Sequence, residues 1–173
     1  MSTIIDNKFL SKKSKQAIRN IILGLNFPFY HRTKVLTNNN NYYGYLEHTI
    51  LVPGEKDWNS NAHVIGEGIL NDFIKKHKLS FKKIHRMAIN LTYNNGTVKC
   101  PIHNDHEFPH KQLIVYLNPV QDISSKLVLL DKNNKEKKSI LPKQFRGVCF
   151  DSCSHYHYYP KFGERIAFVC TFE

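Results

Sequence analysis

Acidic side chains are scarce in this 173-residue chain: 14 Asp and Glu stand against 25 Lys and Arg, a formal net charge of +11. Long apolar runs are missing too. None approaches the ~18 residues that a membrane-spanning helix needs, so no membrane partner is expected. The N-terminal stretch MSTIIDNKFLSKKSKQ holds neither a continuous apolar segment nor a small-residue cleavage site. No signal peptide is therefore expected, and the cytoplasm is the expected compartment. Cysteine is limited to Cys100, Cys149, Cys153 and Cys170, in a chain large enough to bury a core without staples. With no secretion signal beside them, reduced and mostly buried thiols are expected rather than a disulfide framework. Cys149 and Cys153 with His155 and His157 suggest zinc, but the second close-spaced pair that usually completes such a site is absent.

Linkers rich in Gly, Pro or Ser are also missing, and so are internal repeats and low-complexity tracts beyond the short loop Asn38–Asn41. No domain boundary is drawn: residues 1–173 read as one domain, with a helical front end over about 1–83. Hydrophobic residues at 41% and charged residues at 23% match ordinary globular usage and exclude wholesale disorder. The shortage of acid invites a nucleic-acid partner, because a basic domain attracts phosphates. Yet 20 of the 25 basic residues are Lys and the chain carries 17 Asn, a bias that A/T-rich codons alone produce. Charge therefore leaves nucleic acid open as a partner and does not decide it.

Apolar spacing defines the elements. Ile18, Ile21, Ile22 and Leu25 recur at helical intervals, predicting a helix capped by Ser11 and ending before Pro28. Ile65, Ile69, Phe73 and Ile74 predict a second, from about Val64 to His77. Tyr42 to Val52 is aromatic and β-branched, as a strand requires. From Ile84 onward, strand-like runs recur: Ile84–Tyr93, Gln112–Leu117, Lys126–Leu130, Gly147–Phe150 and Arg165–Phe172. Turn residues separate them, including Asn95-Gly96 and the run from Asp131 to Asn134. The pattern predicts an α+β domain whose second half, about 84–173, is a jelly-roll-like barrel buttressed by helices.

Chemistry concentrates in that second half. His103 and Asp105 are two apart, so at a strand end both side chains point to one face and grip one metal. A third ligand from a distant strand would complete a triad of two imidazoles and one carboxylate. Such a triad leaves open positions that suit non-haem Fe(II) with a cosubstrate and O2. The run from Phe150 to Arg165 brings His155 and His157, a turn at Lys161–Gly163, and an apolar strand opening with Arg165. A buried guanidinium needs a carboxylate partner, and that strand's interior offers none, so an external dicarboxylate is a candidate.

On these residues the chain resembles the iron(II)- and 2-oxoglutarate-dependent dioxygenases, particularly their prolyl-hydroxylase-like branch. The resemblance covers residues 84–173, and the front end more weakly. It rests on His103-x-Asp105, the run Val115-Tyr116-Leu117-Asn118, and His155 with Arg165 ten residues later. It implies a double-stranded β-helix, a jelly-roll or cupin-like barrel. It also implies that His103, Asp105 and His155 ligate Fe(II) as the catalytic centre and that Arg165 binds the distal carboxylate of 2-oxoglutarate. Tyr93 and Tyr116 fall where related hydroxylases contact the cosubstrate. His157 is the alternative distal ligand; His155 keeps the family's ten-residue step to Arg165 and five-residue step to Pro160.

The chemistry implied is substrate oxidation coupled to decarboxylation of 2-oxoglutarate to succinate. Hydroxylation is the default outcome, and Asp105 argues against halogenation. The branch implies a peptidyl or free amino acid as substrate, that is, a peptide or small molecule. Nucleic-acid oxidation is the alternative within the superfamily. The stretch Asn90–Gly96 is similar to the nucleic-acid demethylases, but their second Arg, six residues after the first, is Thr171 here. A third reading is a non-catalytic basic jelly-roll binding module with an accidental His-x-Asp pair.

Overall fold

The computed structural model describes residues 2–32 and 44–173. The Asn38–Asn41 loop, and Tyr42 at the start of an expected strand, lie outside them. The described front end holds β1 (Thr3–Asp6), α1 (Lys12–Ala17), β2 (Tyr30–Arg32), β3 (Tyr45–Leu51) and α2 (His63–His77). The remainder is β4 (Ile84–Tyr93), β5 (Lys111–Tyr116), β6 (Leu127–Leu130), β7 (Glu136–Ile140), β8 (Gly147–Asp151), β9 (His155–His157) and β10 (Glu164–Phe172). Antiparallel pairing arranges them in a seven-stranded sheet, β1-β8-β5-β10-β4-β3-β2, and a three-stranded sheet, β7-β6-β9. The front end is thus more than a helical buttress, because it supplies three strands of the larger sheet.

Two-residue alternation explains why both faces of that sheet are covered. Along β10, Ile166, Phe168, Cys170 and Phe172 join Ile69, Leu70 and Phe73 of α2 in one buried cluster. The intervening Ala167 and Val169 join Ile114, Tyr116, Val148 and Phe150, together with Leu127, Leu129 and Ile140 of the smaller sheet. The sheets therefore pack face to face around one apolar layer while the helices close the outer face, a jelly-roll sandwich. Strands apolar on both sides read as unbroken hydrophobic runs, which is why Gly147–Phe150 and Arg165–Phe172 stand out in the sequence.

The helices sit where their caps and apolar faces put them. Ser11 caps α1, its Oγ accepting from the Ser14 N–H at 3.1 Å, and the Ser14 hydroxyl donates to Asp72 Oδ2 at 2.6 Å, tying α1 to α2. The first helix is shorter than its apolar spacing predicts. After Ala17 the chain widens into a π-helical turn over Ile18–Ile22. Ile18 and Ile22 stay buried, but Ile21 is exposed and Leu25 lies beyond the helix in solvent. A π turn breaks the 3.6-residue register that would have put all four on one face.

Candidate active site

The smaller sheet carries two imidazoles toward the larger one. On β9, His155 lies opposite Leu129 of β6 and His157 opposite Leu127. His103 follows β4 and forms a single bridge to β9: its N–H donates to the His155 carbonyl at 3.0 Å, and the His155 N–H returns a bond at 2.9 Å. This reciprocal pair sets the two rings side by side, centroids 4.4 Å apart. Asp105, two residues on, brings Oδ2 to 3.7 Å from His155 Nε2. One ligand atom each from His103, Asp105 and His155 lies within 4.8 Å of the others, and they form the one such cluster of His, Cys, Asp and Glu among the described residues.

The tautomers suit a metal. Each imidazole Nδ1 sits 2.9 Å from a carbonyl two residues upstream, Pro101 for His103 and Cys153 for His155. Donation of Nδ1–H to those carbonyls leaves both Nε2 lone pairs free. Burial, then the neighbouring His103, pushes the His155 pKa down to about 4, so that ring is neutral. Burial alone would raise the Asp105 carboxyl; His155, Arg86 and His103 outweigh it and hold the group below the usual carboxylate range. Oδ2 of Asp105 is buried and has no hydrogen-bond partner. Two imidazoles, one carboxylate and an orphaned oxygen among them fit a divalent metal of the Fe(II) type.

These side chains open onto a cavity of about 510 Å³ between the sheets. Arg165, 5% exposed, lines the same cavity. Its guanidinium donates to the Ser125 carbonyl at 3.0 Å and the Tyr158 carbonyl at 3.5 Å, while Nε is buried with no partner. Tyr116 stands nearby with its hydroxyl equally unpartnered. Burial raises that phenol, and Arg165, then Arg146, oppose the rise. A guanidinium without a carboxylate partner and a phenol without an acceptor are the groups a dicarboxylate's far end would satisfy. His157 also lines the cavity, but its Nδ1 is 3.3 Å from Cys100 Sγ, and it stands outside the three-residue cluster.

Tyr93 is not brought to the site. Along β4, Arg86, Asn90 and Thr92 face the cavity, whereas Ile89 and Leu91 pack toward the helices. Alternation turns Tyr93 with the latter set, away from the cavity, so its expected contact with the cosubstrate is corrected. Tyr45 and Tyr159 supply phenols to the cavity instead. The zinc grouping is not assembled either: all four cysteines are free, and only His155 of that group enters the cluster. His110, five residues beyond Asp105, is 5% exposed. Trp58 stacks on His63 at 5.0 Å against the core rather than over the cavity.

Reading the sequence missed Glu47, Arg86, Asn90 and Gln112, all in the cavity wall. A signal existed for three of them. Arg86 and Asn90 alternate with Met87, Ile89 and Leu91, and Gln112 alternates with Leu113. A polar residue on a strand face that should be buried marks a functional lining. Glu47 gives a weaker sign, because its neighbour His48 on the opposite face of β3 is polar too and blurs the alternation.

No protein-family model and no curated protein matches the sequence. Solved structures do match its shape. An oxidoreductase of the 2OG-Fe(II) oxygenase family from Burkholderia pseudomallei aligns over 99% of this chain and 84% of its own, at 15% identity and a TM-score of 0.70. A prolyl hydroxylase from Trichoplax adhaerens, in complex with a peptide fragment of the hypoxia inducible factor oxygen degradation domain, aligns over 98% and 82%, at 17% and 0.71. A viral collagen prolyl hydroxylase from Paramecium bursaria Chlorella virus-1, complexed with 2OG, aligns over 99% and 95%, at 16% and 0.58. The shared property is the fold, the double-stranded β-helix of 2-oxoglutarate/Fe(II) oxygenases, prolyl hydroxylases among them.

Proposed function

We propose that this chain, with the fold of the 2-oxoglutarate/Fe(II) oxygenases, is an Fe(II)- and 2-oxoglutarate-dependent hydroxylase acting on a peptidyl or free amino acid. The observation that carries the reading is the pairing, in one cavity, of the His103–Asp105–His155 cluster with the unpaired guanidinium of Arg165. Bound there, Fe(II) with 2-oxoglutarate supplies oxidative decarboxylation to succinate and CO2 and oxygen transfer to a C–H bond. The protein's part is binding, orientation and exclusion of water. His103, Asp105 and His155 hold the metal through two Nε2 atoms and one carboxylate oxygen. Arg165 takes the far carboxylate of the dicarboxylate, and the Tyr116 hydroxyl donates beside it. Ile114, Leu127 and Val169 line the same cavity and keep it dry.

The substrate class is supported by the fold, since one neighbour of that fold holds a peptide. The +11 charge favours a second reading, oxidation of nucleic acid. Succinate release from 2-oxoglutarate in the presence of Fe(II) separates them. Proline-containing peptides or free amino acids are expected to stimulate it several-fold, and single-stranded DNA or RNA at low salt to leave it unchanged. Stimulation by nucleic acid but not by peptides or amino acids would contradict the amino-acid reading.

A further inference from the structure

Behind the metal cluster lies a buried chain of charges with no assigned role. Arg86, on the cavity face of β4, donates from one terminal nitrogen to Glu47 Oε2 at 2.8 Å, and holds the other 3.7 Å from Asp105 Oδ1. Glu47, on β3, is in turn gripped from three further directions. Tyr45 donates to Oε2 at 3.1 Å, Thr49 donates to Oε1 at 2.5 Å, and Arg32 stands 3.5 Å from Oε1. The side chains of Glu47 and Arg86 are only 8% and 17% exposed.

A buried ion pair is a poor stability device, because desolvation of both charges cancels much of their attraction. Five polar side chains committed to one such pair, against the wall of a metal cluster, therefore call for a use. The geometry of Asp105 supplies it. Its Oδ1 faces Arg86, while Oδ2 faces His155 without a hydrogen bond.

We propose that Arg86, clamped by Glu47, is a positioning residue that occupies Oδ1 of Asp105 and presents Oδ2 alone to the metal. The inference rests on the Fe(II) reading above. A carboxylate free to rotate can bind through both oxygens and take a position that a bidentate cosubstrate needs; the guanidinium prevents this by holding one oxygen. Glu47 fixes the guanidinium and offsets its charge, so Arg86 orients the carboxylate with less repulsion of a divalent ion than an unpaired cation would exert. The planar fork suits the task, since its two terminal nitrogens address two carboxylates at once.

Deleting Arg86 alone would mix two opposed effects. Loss of a cation favours the metal electrostatically, while loss of orientation disfavours it. A charge-neutral exchange isolates the second. In Glu47→Gln/Arg86→Gln the net charge is unchanged, and Glu47→Met/Arg86→Met fills the same space with apolar atoms, a swap that buried ion pairs often tolerate. Two differently filled variants protect the test against one that does not fold, with circular dichroism as the check.

Mn(II) affinity, followed by electron paramagnetic resonance, and the anaerobic visible band of the Fe(II)–2-oxoglutarate complex are then compared with wild type. Mn(II) binding is expected to weaken on the order of 10- to 100-fold, the usual effect of losing a group that orients a metal ligand. The visible band is expected to shift in position as well as in the Fe(II) needed to form it. A folded variant that melts lower but keeps the wild-type affinity and band would overturn the positioning role. The reading beneath it fails separately, by absence of Mn(II) and Fe(II) binding in the wild-type protein itself.

Discussion

His155 and His157 sit two residues apart on β9, and both reach the cavity; their partners separate them. His155 leans on Cys153 through Nδ1 and turns Nε2 to Asp105. His157 leans on the buried thiol of Cys100, which burial pushes up to about 11 and keeps neutral. Replacing His155 by Ala should abolish metal binding measured by Mn(II) titration, whereas His157→Ala should weaken it less than about threefold. Equal losses in the two variants would contradict the assignment of the distal ligand. Arg165 makes the opposite kind of statement, about function held against stability. Burial lowers its pKa, and no carboxylate of a described residue pairs with it. Arg165→Met removes a buried charge that has no carboxylate partner, and this offsets much of the loss of its bonds to the Ser125 and Tyr158 carbonyls, each worth about 1 kcal/mol. Its melting temperature should stay within about 4 °C of wild type or rise, given ~2–4 °C per kcal/mol at this chain length, while 2-oxoglutarate binding is lost. A fall well beyond that range with 2-oxoglutarate binding intact would sink the interpretation.

At the scale of elements, β8 packs closely against Phe9 and the helical layer at Gly147. A Cβ there would meet Phe9 Cε1 at 2.6 Å and Phe73 Cε2 at 3.1 Å, rings with no room to retreat. Gly147→Val is expected to cost about 1–3 kcal/mol by overpacking. The loss would be seen as a lower urea midpoint, with metal affinity of the folded protein unchanged because the added methyls face away from the cavity. An unchanged midpoint would show that this layer is looser than the structure has it. The same layer explains which elements were legible in the sequence. β4, β10 and α2 carry long apolar patterns and are found within a residue of where spacing puts them. β1, β2 and β9 are three or four residues long, and β7 is almost wholly exposed, so none leaves a periodic trace; pairing with a distant partner makes them strands.

Across the whole molecule, the candidate site is assembled from both ends of the chain, and its legibility divides along the same line. His103, Asp105, His155, Tyr116 and Arg165, which sequence spacing singled out on the β half, line one cavity. Glu47 and Arg86 were not singled out, because their roles depend on β3 and β4 lying side by side, with Glu47 opposite Asn90. Tyr93 shows the converse: it is close to the site in sequence, but alternation along β4 puts it with Ile89 and Leu91 rather than with Asn90 and Thr92. The charge of +11 bears on what approaches the surface; the proposed cosubstrate site rests instead on Arg165, a buried guanidinium that no carboxylate of a described residue pairs with. The central claim is that one cavity binds Fe(II) and 2-oxoglutarate together. Anaerobic addition of both to the purified protein should produce a weak visible metal-to-ligand charge-transfer band. Asp105→Ala should lack that band. A wild-type protein that gives no band at saturating Fe(II) and 2-oxoglutarate, or an Asp105→Ala protein that keeps it, would contradict the account.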